Sequence, residues 1–147
     1  MKTVLLCVSV VWGAGSAQAY DSRSGDRLVE MMAGVSGLAL SVSQLMTQRL
    51  HGGVLLRHTF GTEYPQQSLS LSAGYEHHQN GWALVPRAGV DLGIGLVNGR
   101  NPTAVLGLRT GAIWYPVRAL GVAAHAGATL WGNGLLPGLG VAVAARF

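Results

Sequence analysis

The chain has 147 residues, 49% of them hydrophobic and only 11% charged, with a single cysteine. An ordinary soluble domain carries roughly 25% charged residues, so this chain lacks the side chains for a conventional water-facing exterior. Its formal charge of +4 comes from basic residues scattered singly, without the clustering on one face that nucleic-acid binding uses, and we expect no nucleic-acid partner.

Lys2 is followed by the apolar run Val4 to Trp12, and Ala17-Gln18-Ala19 supplies the small side chains that signal peptidase accepts. Residues 1–19 therefore read as a secretory signal cleaved before Tyr20; the run is too short for a spanning helix. Cys7 lies inside that run and follows Leu6, which disfavours a lipoprotein signal. Cleavage removes Cys7 and Lys2, leaving no thiol chemistry and an all-arginine set of basic residues. Residues 20–26 are polar and aperiodic and read as a short periplasmic tail, with the folded unit running from 27 to 147.

From Val29 the apolar residues Val29, Met31, Ala33 and Val35 alternate with Glu30, Met32 and Gly34. Ser36-Gly37 intervenes, and Leu38, Leu40 and Val42 resume the rhythm, which predicts two strands and a tight turn. The competing reading is one helix from Leu28 to Leu50, built from good helix formers. Thr47 to Gly52 is a polar break. Val54, Leu56 and Phe60 then face one way and Arg57 and Thr59 the other, with His58 on the apolar phase. Thr62 to Gln67 reads as a loop. Leu69, Leu71, Ala73 and Tyr75 oppose Ser68, Ser70, Ser72, Gly74 and Glu76, and Asn80-Gly81 marks a turn.

The last half repeats the two-residue rhythm most cleanly. Leu84, Pro86, Ala88, Val90, Leu92, Ile94 and Leu96 oppose Arg87, Asp91 and three glycines; Ala104, Leu106, Leu108, Ala112 and Trp114 oppose Gly107, Arg109 and Gly111. Leu120, Val122, Ala124, Ala126, Ala128 and Leu130 oppose Gly121, His125, Gly127 and Thr129. Leu139, Val141, Val143, Ala145 and Phe147 alternate with Gly140 and Arg146. Asn98 to Pro102, Pro116-Val117-Arg118 and Gly132-Asn133-Gly134 read as connections.

After the leader no apolar stretch reaches the length of a spanning helix, so apolar surface without such a helix points to a closed barrel. The predicted fold is all-β, an eight-stranded antiparallel transmembrane β-barrel. A soluble barrel has the same period turned inside out. Two features favour the membrane form. The polar phase is mostly Gly, Ser and Thr with single charges, which suits a narrow lumen. Aromatics also lie towards strand ends, with Phe60, Tyr64 and Trp131 near one rim and Tyr75, Trp82, Trp114, Tyr115 and Phe147 near the other.

The cleavable signal, the alternating strands and the terminal aromatic with apolar residues at every second position before it resemble the small eight-stranded outer-membrane barrels of Gram-negative bacteria, the OmpA and OmpX kind. The resemblance covers Leu28 to Phe147 as a pattern and carries no motif of one family. It implies residence in the bacterial outer membrane, contact with outer-membrane lipid and lipopolysaccharide, and handling by the barrel-assembly machinery during biogenesis. It also implies that the terminal strand is the assembly signal, carried by Val141, Val143, Ala145 and Phe147, with Ala145 where a second aromatic is often found. The connections at the outer face are shorter than is usual for adhesion or receptor roles.

The phase places Glu30, Arg57, Glu76, Arg87, Asp91, Arg109, His125 and Arg146 in the lumen. An Arg-Asp-Arg cluster of Arg87, Asp91 and Arg109 is geometrically possible. It reads either as a charge-paired plug or as the selectivity ring of a small-solute pore. A lipid-A-modifying acyl hydrolase or transferase is the enzymatic alternative. Its candidates are His58, beside Thr59 and Glu63, and His125, neither with a Ser in a triad-like arrangement. His77 and His78 point to opposite faces of a strand and do not chelate one metal. The glycines of Gly89 to Gly99 lack the following helix and Lys-Ser/Thr pair of a nucleotide loop, so no metal and no cofactor is expected.

Overall fold

A computed structural model of the chain describes residues 24–61, 65–78, 84–97, 101–117, 119–132 and 134–147. The expected signal (1–19), most of the tail (20–23), the Asn80-Gly81 turn, Glu63, Tyr64 and Trp82 lie outside the described residues. Eight strands follow one another: β1 (Arg27–Gly34), β2 (Gly37–Leu45), β3 (Leu50–Thr59), β4 (Pro65–Glu76), β5 (Leu84–Val97), β6 (Asn101–Val117), β7 (Leu120–Trp131) and β8 (Gly134–Arg146). Each pairs antiparallel with its neighbours in sequence, and β1 pairs β8 from Leu28↔Arg146 to Gly34↔Gly140. Backbone hydrogen bonds between Arg27 and Phe147, at 2.8 and 3.1 Å, complete the seam. Closure pairs the first strand with the last along Leu28–Gly34 and Gly140–Arg146, supplying the backbone partners that hydrocarbon requires there.

Alternation turns each strand's two faces into an outside and an inside. Met31, Leu71, Leu92 and Leu139 are exposed on the exterior, whereas Glu30, Ser41, Ser70, Ser72, Glu76 and Asp91 are buried within. The molecule is therefore apolar outside and polar at its centre, the reverse of a water-soluble barrel.

The two strands and tight turn read at the start of the chain are present, while several strand boundaries differ from the sequence reading. Residues 28–50 form no helix, because β1 and β2 spend their backbone groups on each other, β8 and β3. The first turn is Val35-Ser36, one residue earlier than expected, since Gly37 already pairs Gly34. A Cβ on Gly37 would run into the His58 carbonyl, so this glycine serves a close strand approach. β3 starts at Leu50, inside the presumed polar break, and β4 starts at Pro65, inside the presumed loop. β6 absorbs Asn101-Pro102 and Pro116-Val117, with Pro116 sitting in the register shift between Trp114 and Val117 that relieves it of a ladder bond. Gly134, read as part of a turn, opens β8.

The wall is uneven. β1 and β2 have 8 and 9 residues, β5 and β6 14 and 17, so the rim is low beside the first hairpin. The interior is also less uniformly polar than the Gly/Ser/Thr phase suggested. Leu28, Met32, Leu55, Val85, Ile113 and Tyr115 pack with Ala123, Ala142 and Ala144 into an apolar cluster. Burial of each large member contributes about 1.5–3 kcal/mol.

Candidate functional site

The lumenal charges are set on six strands, and the sheet register decides which of them meet. β4 contributes Ser68, Ser70 and Ser72, short side chains that leave room for long ones from the strands around them. On β5, Gly93 lies where a Cβ would collide with the Leu69 carbonyl and Ser70, so only glycine lets β5 approach β4 there. Into this space Arg109 sends Nη2, donating at 2.8 Å to both Asp91 Oδ1 and Ser72 Oγ. Arg57 lies 3.6 Å from the other oxygen, Asp91 Oδ2, and donates to Thr129 Oγ1 across the barrel. Nearer the chain termini Arg87 pairs Glu30 at 2.6 Å. Arg146 donates to Glu76 at 2.7 Å and to the Tyr115 hydroxyl, with its guanidinium 4.7 Å from the Tyr115 ring centroid. His78, just past β4, is 2.9 Å from the same carboxylate.

Glu30, Arg57, Glu76, Arg87, Asp91, Arg109, His125 and Arg146 thus all lie on the inner face, but as separate groups. The possible Arg87-Asp91-Arg109 cluster is replaced by Arg57-Asp91-Arg109. Four residues along a strand span about 13 Å, and Arg87 finds Glu30 instead. Tyr115, expected in an aromatic girdle, points inward on the Arg109 phase and is 2% exposed. Trp131 is also on the inward phase of β7 and lies against Gly134. Phe60, Tyr75 and Phe147 do face outwards.

Sequence reasoning places His51 in the polar break Thr47 to Gly52 and so misses it. It is buried in the lumen, its ring filling the space left by Gly74. Counting back by twos from Arg57 finds it. His58 is exposed on the outer face, edge-on to Phe60 at 5.9 Å, while Thr59 points inward. Among the described residues no hydrogen bond joins His58 or His125 to a serine or an acid.

Three solved structures share this architecture. The N-terminal β-barrel domain of Pseudomonas aeruginosa OprF superposes with a TM-score of 0.67 at 14% identity, over 86% of this chain and 98% of that one. A de novo designed transmembrane β-barrel gives 0.63 at 12%, over 86% and 99%. Neisserial surface protein A gives 0.58 at 15%, over 84% and 95%. The fold is that of the eight-stranded transmembrane β-barrels. No protein-family model matches the sequence, and no curated protein matches it. Sequences this dissimilar can share the fold because it asks for alternation and small inward residues at crowded points, not for particular side chains.

In this barrel the interior combines the apolar cluster with three carboxylates, each held by at least one arginine. A cavity of about 60 Å³ remains beside the first hairpin, lined among others by Met32, Ser36, Arg57, Arg109, His125 and Thr129. Chemically the arrangement fixes charges against one another.

Proposed function

We propose that the chain is an integral outer-membrane β-barrel with a structural, envelope-maintaining role and a lumen closed by ion pairs. The observation that carries this reading is the pairing of Glu30, Glu76 and Asp91 with Arg87, Arg146, Arg57 and Arg109 next to an apolar cluster. Uncompensated charges in so narrow an interior would be costly, and a barrel of this strand number is just wide enough for side chains to fill. The exterior rows suit contact with outer-membrane lipid and lipopolysaccharide. The outward row Val141, Val143, Ala145 and Phe147 is the segment offered to the barrel-assembly machinery.

Planar-bilayer recording tests the closed lumen. The expected result is no steady single-channel conductance. A steady conductance that changes in Arg87→Ala would replace the plug by a small-solute pore.

A further inference from the structure

Beneath the larger cavity lies a second, of about 10 Å³, lined by His51, Arg87, Gly89, Arg109, Thr110 and His125. That volume admits about one water-sized sphere. Among the described residues no carboxylate lines it. His51 and His125 each hold a buried Nδ1 with no hydrogen-bond partner among the described residues, and Arg109 Nε is in the same position. Arg109 Nε is a donor, and each Nδ1 is a donor in the tautomer that protonates it, so an acceptor in this space would satisfy all three nitrogens. Charge points the same way: the lumenal strand residues supply four arginines, Arg57, Arg87, Arg109 and Arg146, against Glu30, Glu76 and Asp91.

We propose that this cavity is a binding site for one small monovalent anion of the halide class. The anion accepts hydrogen bonds from His51, His125 and the Arg109 guanidinium and offsets the surplus cation. Arg109 and His125 line both cavities, so the site adjoins the larger one. The small volume suits a monatomic ion better than a polyatomic oxyanion. A neutral imidazole in the Nδ1–H tautomer donates through that nitrogen and accepts through the other, so the site does not require charged histidines. The proposal goes beyond the closed-lumen reading and does not depend on it, since a conducting barrel could hold the same ion.

Two measurements test it. Crystals of the detergent-solubilised protein grown in sodium bromide should show one anomalous peak between His51, His125, Arg87 and Arg109. Urea unfolding at fixed ionic strength, with chloride replacing the bulky isethionate ion, should be chloride-dependent. Above the dissociation constant the folded-to-unfolded ratio should rise tenfold per tenfold rise in chloride. That dependence should vanish in His51→Leu/His125→Leu. An empty or water-filled cavity in bromide, identical unfolding in the two salts, or a chloride effect surviving the double substitution would overturn the proposal. Should the variant fail to fold, the bromide peak and the salt comparison on the unaltered protein still decide it.

Discussion

Asp91→Ala is expected to destabilise the folded barrel by about 3–5 kcal/mol, the usual cost of removing one partner from a buried ion pair. Asp91 is 1% exposed and is the carboxylate shared by Arg57 and Arg109, which approach its two oxygens separately. Its loss leaves two guanidinium groups facing one another in a low-dielectric interior, with Ser72, Thr129 and the Met32 sulfur as their remaining neutral partners. Urea unfolding in lipid vesicles reads the change. Adding Arg57→Met and Arg109→Met to Asp91→Ala should recover much of the loss, because the penalty lies in the stranded charges and not in missing volume. A change below about 1 kcal/mol for Asp91→Ala would mean that water screens this cluster as it does a surface pair.

On the opposite face of the wall, Leu71→Arg should cost about 2–4 kcal/mol, the range for a cation placed on the lipid side of a barrel near the bilayer midplane. Leu71 lies mid-strand in β4, is 73% exposed, and pairs Val54 on one side and Leu92 on the other, both also exposed. On a water-facing wall the same substitution would stay within about 0.5 kcal/mol. The two variants thus probe the two faces of one strand pair. Asp91 and Ser72 meet on the inside, and Leu71 and Leu92 on the outside, one residue along.

Most of the architecture was legible because a membrane barrel repeats one instruction. The outward rows of β5 to β8 are apolar apart from Thr110, and the inward placement of Arg87, Asp91, Arg109, His125 and Arg146 follows from parity alone. Strand ends were less legible. Pro65, Pro102 and Pro116 look like punctuation, yet each sits inside a strand at its start or at a register shift. Pairing across the lumen could not be read at all. Whether Asp91 takes Arg87 or Arg57 depends on strand tilt and on the short serines of β4, which are properties of the closed barrel. Tyr115 misled because an aromatic at a strand end suits a girdle. Parity with Arg109 places it inside, where its hydroxyl meets Arg146 and Glu76.

The central claim is that the apolar rows meet lipid while the polar rows are sealed inside, and β4 offers the cleanest test. Single nitroxide labels, attached to cysteines introduced from Ser68 to Ala73 in a Cys7→Ser background, report collisions with oxygen, which concentrates in lipid, and with a water-soluble nickel complex. Labels at Leu69, Leu71 and Ala73 should collide with oxygen and not with nickel, and those at Ser68, Ser70 and Ser72 with neither, a strict period of two. Nickel collisions at Leu71 as frequent as those with oxygen would contradict the account, because that row would then be facing water.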